Sequence, residues 1–127
     1  MYLAIRTDNS QAEIYLLNDQ GVVQRQKVWL AERTLARDLP GEVDNLVDGD
    51  YGQLTGVLVY QGPGSFTGLR IGITVANAVA YAQLLPIVAT AGENWLADGV
   101  DQLNNGADNK IALPEYGAAP HITPPRK

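Results

Sequence analysis

Ser65 and Thr67 are the hydroxyls whose setting first suggests chemistry, since both lie in the stretch Gly62-Pro63-Gly64-Ser65-Phe66-Thr67-Gly68. A serine or threonine nucleophile needs a base beside it, most often a histidine. The only histidine, His121, stands near the end of the chain, outside the segment that reads as folded. A Ser-His-Asp arrangement is therefore not expected, and a lone histidine there reads as a solvated tail residue. Glu42, Asp44, Asp48 and Asp50 suggest a cation site, but their spacing matches no EF-hand loop. A solvated helix face accounts for them. The chain has no cysteine, which removes disulfides, thiolate nucleophiles and cysteine-held metals. No catalytic residue, metal or cofactor is expected.

The glycine-rich stretch admits two readings. Glycines at 62, 64 and 68 permit positive φ and close backbone approach, and a helix beginning just beyond presents free N–H groups and a partial positive charge. On that physics Gly62 to Gly68, with Arg70, forms a motif loop that can contact an anion. The alternative is a tight strand-to-helix connection in which glycines simply fit. No lysine follows the final glycine, so the loop is not a Walker A sequence.

The elements that position this loop follow from apolar periodicity. Tyr2 to Thr7, Glu13 to Leu17 and Val22 to Trp29 read as strands, the last two joined by the hairpin signal Asn18-Asp19-Gln20-Gly21. Leu35, Leu39, Val43, Leu46 and Val47 form the stripe of an amphipathic helix, which Pro40-Gly41 is expected to kink or divide. Leu54 to Tyr60 reads as a buried strand, Leu69 to Gln83 as a long helix, Leu84 to Ala89 as a short strand and Glu93 to Leu103 as a third helix. The class is α/β. A five-stranded mixed sheet is predicted, a three-stranded antiparallel meander plus two parallel strands, with three helices. Residues 1–106 form this lobe, and residues 107–127, rich in proline, read as an extended tail.

The long helix carries more apolar surface than a sheet can cover. Arg70, Thr74, Asn77 and Tyr81 fall on one narrow polar arc, while the rest of the circumference is apolar or small. One sheet hides a stripe of roughly 100°. Gly68, Gly72, Ala76 and Ala80 recur every fourth residue, a ridge that lets another helix approach. That helix belongs either to the same lobe or to a partner. Trp29 and Trp95 read as core or interface anchors.

Net charge is −5, and the nine lysines and arginines are scattered. A protein gripping phosphate backbones by itself usually carries a basic patch, so nucleic acid, if involved, is expected to be held by another subunit. No apolar run reaches the roughly 18 residues of a bilayer span. No signal peptide is apparent in Met1-Tyr2-Leu3-Ala4-Ile5-Arg6. A cytoplasmic protein is expected.

Gly62 to Gly72, continued by Ile73-Thr74-Val75-Ala76, resembles the hallmark of the TsaB (YeaZ) family, and the resemblance extends over about residues 1–105. It implies a single actin-like lobe of the ASKHA type, named for the acetate and sugar kinase, Hsp70 and actin superfamily. It also implies a non-catalytic scaffold that binds and activates a TsaD-type catalytic subunit, assembles with a TsaE-type ATPase, and meets tRNA only through the complex, in threonylcarbamoyladenosine biosynthesis. In that reading Leu69, Gly72, Ile73, Ala76, Val79 and Ala80, with Leu35 and Leu39 of the first helix, form the partner interface. A bulky residue at Ala76 is then expected to abolish pairing while leaving the lobe folded. Self-association through the same face, as a homodimer of the lone chain, is a further expectation. The alternative function is a small anion- or nucleotide-binding domain using Gly62 to Gly68 directly.

Two departures from the family matter. Arg6 stands where the superfamily carries an acid that helps place a metal-bound nucleotide. Residues 107–127 are too few for the second lobe of longer relatives, so no interlobe cleft and no autonomous ATPase activity are expected. Leu113-Pro114-Glu115-Tyr116 is similar to a Pro-x-Tyr stretch in longer members. It reads equally as a disordered end or a strap over the lobe surface.

Overall fold

The computed structural model describes residues 1–115; His121 and Tyr116 lie outside them. Five strands form one sheet: β1 (Tyr2–Arg6), β2 (Gln11–Leu17), β3 (Val23–Leu30), β4 (Gly56–Tyr60) and β5 (Ile87–Thr90). Their order is β3-β2-β1-β4-β5. β1, β2 and β3 pair antiparallel, whereas β4 runs parallel to β1 and β5 parallel to β4. The hairpin between β2 and β3 is built as its residues suggest. Gly21 takes φ +78°, and the Asn18 Oδ1 accepts from the Gln20 and Val22 amides at 2.9 Å.

Three helices follow the expected order: α1 (Leu35–Leu46), α2 (Phe66–Gln83) and α3 (Trp95–Asn104). α1 and α2 cover one sheet face, and α3 covers the other over β4 and β5. Register assigns residues to these faces, because directly opposed residues share a side. Ile5 lies opposite Ile14 and Val59 beneath α1 and α2, while Ala4 lies opposite Tyr15 and Leu58 on the α3 side. Leu3, Ile5, Ile14, Leu39, Val57, Val59 and Leu69 are fully buried in this core. Burying each such side chain contributes about 1.5–3 kcal/mol.

Two local expectations are narrowed or corrected. Of the kink or division expected at Pro40, the division does not occur, and α1 runs through it as one helix. The loss of one i−4 hydrogen bond is offset by Leu35, Leu39, Val43 and Leu46, which anchor one side along its whole length. β5 begins at Ile87 and not at Leu84, because Leu84 takes the left-handed conformation that ends α2, and it is 89% exposed. Among the described residues, no helix is long and apolar enough to cross a membrane.

Candidate functional site

Three glycines of the motif, Gly64, Gly68 and Gly72, face the turn between β1 and β2. A side chain on Gly64 would collide with Asp8, and one on Gly72 with the side chain of Thr7. At Gly68 the Thr7 carbonyl oxygen stands 2.7 Å from where a Cβ would be. Hydrogen bonds close the contact. The Ser65 amide donates to the Asp8 carbonyl at 2.7 Å, and the Thr7 hydroxyl donates to the Gly68 carbonyl at 2.8 Å. Thr7 is 1% exposed. The motif is thus the seat of a strand turn on a helix N-terminus. Its inner side is filled by the chain itself, which favours the tight-connection reading over a cradle open to anions.

Beside this seat, Arg6 forms a paired contact with Asp8, its Nε at 2.7 Å and Nη2 at 3.1 Å from the two carboxylate oxygens. The guanidinium lies 4.0 Å above the Tyr60 ring and 5.9 Å from that of Trp95. The hydrogen bond to Asp8 outweighs partial burial and raises the Arg6 pKa. Asp8 is therefore committed to a cation of the same chain. Tyr15, whose hydroxyl donates to Glu13 at 2.6 Å, has its pKa pushed up by burial first and by Glu13 second. Tyr15 and Tyr60 both meet Trp95 edge to face, which makes Trp95 a core anchor. Trp29 is half-buried on β3.

Pro63, Gly64, Ser65, Thr67 and Arg70 line the outer side of the loop and are exposed. Gly62 is buried, Gly68 is half-buried, and Phe66 begins α2. Among the described residues no three His, Cys, Asp or Glu side chains group as metal ligands.

The residues expected at a partner interface divide sharply. Leu69, Ile73, Ala76, Ala80, Leu35 and Leu39 are buried within the lobe, as is Gly72. This corrects their placement: they are core, because the small ridge of α2 packs on β1 and β4 of its own sheet. Only Val79 is half-exposed. The apolar surplus of α2 lies one step around the helix, at half-buried Ile71, Val75 and Val79 with exposed Ala78 and Ala82. These line two adjoining hollows between α1 and α2. One, of about 420 Å³, is bordered by Ala36, Thr67, Arg70, Ile71, Thr74 and Val75. The other, of about 300 Å³, is bordered by Pro40, Val43, Tyr51, Val75, Val79 and Ala82 among others.

Residues 107–115 lie along β5 and α2, so of the two readings open for the tail the described part follows the strap over the lobe surface; sequence reasoning missed the contacts that hold it. Asn77, placed on the polar arc, is half-buried and bonds the backbone of Ala112. No periodic signal marks such a segment.

Comparison with known proteins bears on this arrangement. A family model described as "TsaD: tRNA N6-adenosine threonylcarbamoyltransferase" matches residues 30–100. The tRNA threonylcarbamoyladenosine biosynthesis protein TsaB of Bacillus subtilis is 35% identical over 97 residues, covering 75% of this chain and 42% of that relative. The protein of the same name in Escherichia coli is 34% identical over 113 residues, covering 87% and 48%. The chain belongs to the TsaB (YeaZ) family. YeaZ from Pseudomonas aeruginosa, a solved structure, superposes on it with TM-score 0.64 at 28% identity, over 71% of this chain and 43% of that one. The lobe is accordingly of the actin-like ASKHA type. This TsaB-family chain spans less than half the length of the curated relatives it matches.

Proposed function

We propose that this lobe serves threonylcarbamoyladenosine formation on tRNA as a non-catalytic assembly subunit that docks and activates a TsaD-type catalytic subunit. The observation that carries this reading is the open stripe of Ile71, Val75, Ala78, Val79 and Ala82 between α1 and α2. Its spacing is that of one helix face, so a partner helix is the natural occupant. The names of the TsaB relatives support the pathway, and the TsaD-family match supports the partner. The internal pairing of Asp8 with Arg6 supports a non-catalytic part. A TsaE-type ATPase would complete the assembly, tRNA would be held by the complex, and the same stripe would support a homodimer when the chain is alone.

The test is co-purification with a TsaD-type subunit from the same organism. Wild-type chain should be retained, and Val75→Glu/Val79→Glu chain should be lost while keeping its melting temperature. Retention of the folded double variant would refute the groove as the interface. Calorimetry with ATP and magnesium addresses the alternative function, since the lone chain should give no appreciable heat.

A further inference from the structure

Beyond Ala107, whose amide donates to the Gln102 carbonyl at 2.9 Å, the segment to residue 115 is held against the lobe at three places by hydrogen bonds and little apolar burial. At the first, the Asn109 amide donates to the Ile87 carbonyl at 2.7 Å. There the Asp108 Oδ1 accepts from the Ile87 amide at 3.2 Å, and the Asn109 Oδ1 from the Ala89 amide at 3.0 Å. Two side chains thus stand in for a sixth strand on the open edge of β5. At the second, the Asn77 amide group bonds Ala112 in both directions, at 3.0 and 2.8 Å. At the third, Gln61 Nε2 donates to the Leu113 carbonyl at 3.2 Å, and the Glu115 amide donates to the Gln61 carbonyl at 2.8 Å.

The third place touches the motif. Gln61 immediately precedes the glycine loop, and the Glu115 carbonyl occupies the position a Cβ on Gly62 would need, while Gly62 holds φ +120°. The loop is therefore pinned from two sides, by Asp8 at Ser65 and by the strap at Gln61 and Gly62. The strap is the weaker side. Ala112 is its one fully buried side chain, whereas Ile111 and Leu113 are 57% and 64% exposed. Segments held by a few surface hydrogen bonds open before the core does.

We propose that residues 107–115 are a latch that fixes the Gly62–Gly68 loop, so that the loop loosens when the strap leaves. The latch is a property of the lobe alone and does not depend on which partner the groove accepts.

Residue-resolved hydrogen exchange on the full chain tests it, comparing wild type with Asn77→Ala. The Ser65 amide is the decisive reporter, because its own acceptor is Asp8 and not the strap. Losing two hydrogen bonds of ordinary strength predicts about tenfold faster exchange at Ala112 and at Ser65, with Leu3 and Ile14 unchanged. Faster exchange at Ala112 with an unchanged Ser65 would overturn the latch. So would an equal acceleration at Leu3, which would mean that strap and core open together. Asp108→Ala/Asn109→Ala releases the strap at its other end, on β5, without touching its bonds to Gln61. It must give the same Ser65 response, and it stands in should Asn77→Ala fail to fold.

Discussion

Thr7 fills the notch left by Gly72: its side chain takes the space of a missing Cβ, while its hydroxyl donates to the Gly68 carbonyl at 2.8 Å. Adding a methyl group at Gly72 must push β1 away from α2. Gly72→Ala is expected to cost about 1–3 kcal/mol, read as a lowered urea midpoint. Trimming the neighbour in Thr7→Ala/Gly72→Ala should return part of that loss. A Gly72→Ala chain as stable as wild type would mean that the notch has slack.

Ala76 is 0% exposed, so arginine there has nowhere to put its charge. Ala76→Arg is expected to cost more than about 4 kcal/mol and to leave the chain unfolded by circular dichroism. Val79→Arg, half-exposed beside the groove, should stay within about 1 kcal/mol of wild type. Equal melting curves for the two variants would contradict the assignment of the ridge to the core.

Arg6→Leu leaves Asp8 without its partner at a site where the carboxylate is only 11% exposed. A loss of about 1–3 kcal/mol is expected, and Arg6→Leu/Asp8→Asn should recover part of it by removing the stranded charge. Chemical denaturation of the three variants measures the coupling.

Acid should release the strap. The Asp108 carboxyl accepts from the Lys110 and Ile87 amides and lies 3.5 Å from the Lys110 ammonium, and these hold its pKa below the ordinary 3.8. A pKa lowered by folding stabilises the strap above about pH 4, where the carboxylate is charged in both states, and the contribution fades as pH falls through the folded value. Amide exchange at Ile87, corrected for its intrinsic rate, should therefore accelerate below pH 4 in wild type and show no such step in Asp108→Asn.

The make-up of the sheet was legible because β1, β2, β4 and β5 carry apolar runs, and Asn18 to Gly21 specifies the hairpin that leads into the mostly polar β3. The surplus on α2 was legible too, but its direction was not. Gly68, Gly72, Ala76 and Ala80 suit any close neighbour, and a helical wheel does not say that the neighbour is Thr7 of the same chain. The strap was one of two open readings of the tail, and what kept the choice open was the nature of its contacts. Its contacts run from Asp108, Asn109 and Asn77 side chains to backbone atoms, and such bonds leave no period in a sequence whose polar residues resemble a linker. Arg6 was read as a missing acid, whereas its pairing with Asp8 and Tyr60 depends on strand register.

The two tryptophans lie on opposite sheet faces. Trp29 pairs with Ala12 on the side of α1 and α2, whereas Trp95 meets Tyr15 and Tyr60 on the side of α3. Intrinsic fluorescence can therefore watch each hydrophobic layer separately once the other indole is changed to phenylalanine. With no native thiol in the chain, a dye on one introduced cysteine would add a third, background-free optical channel.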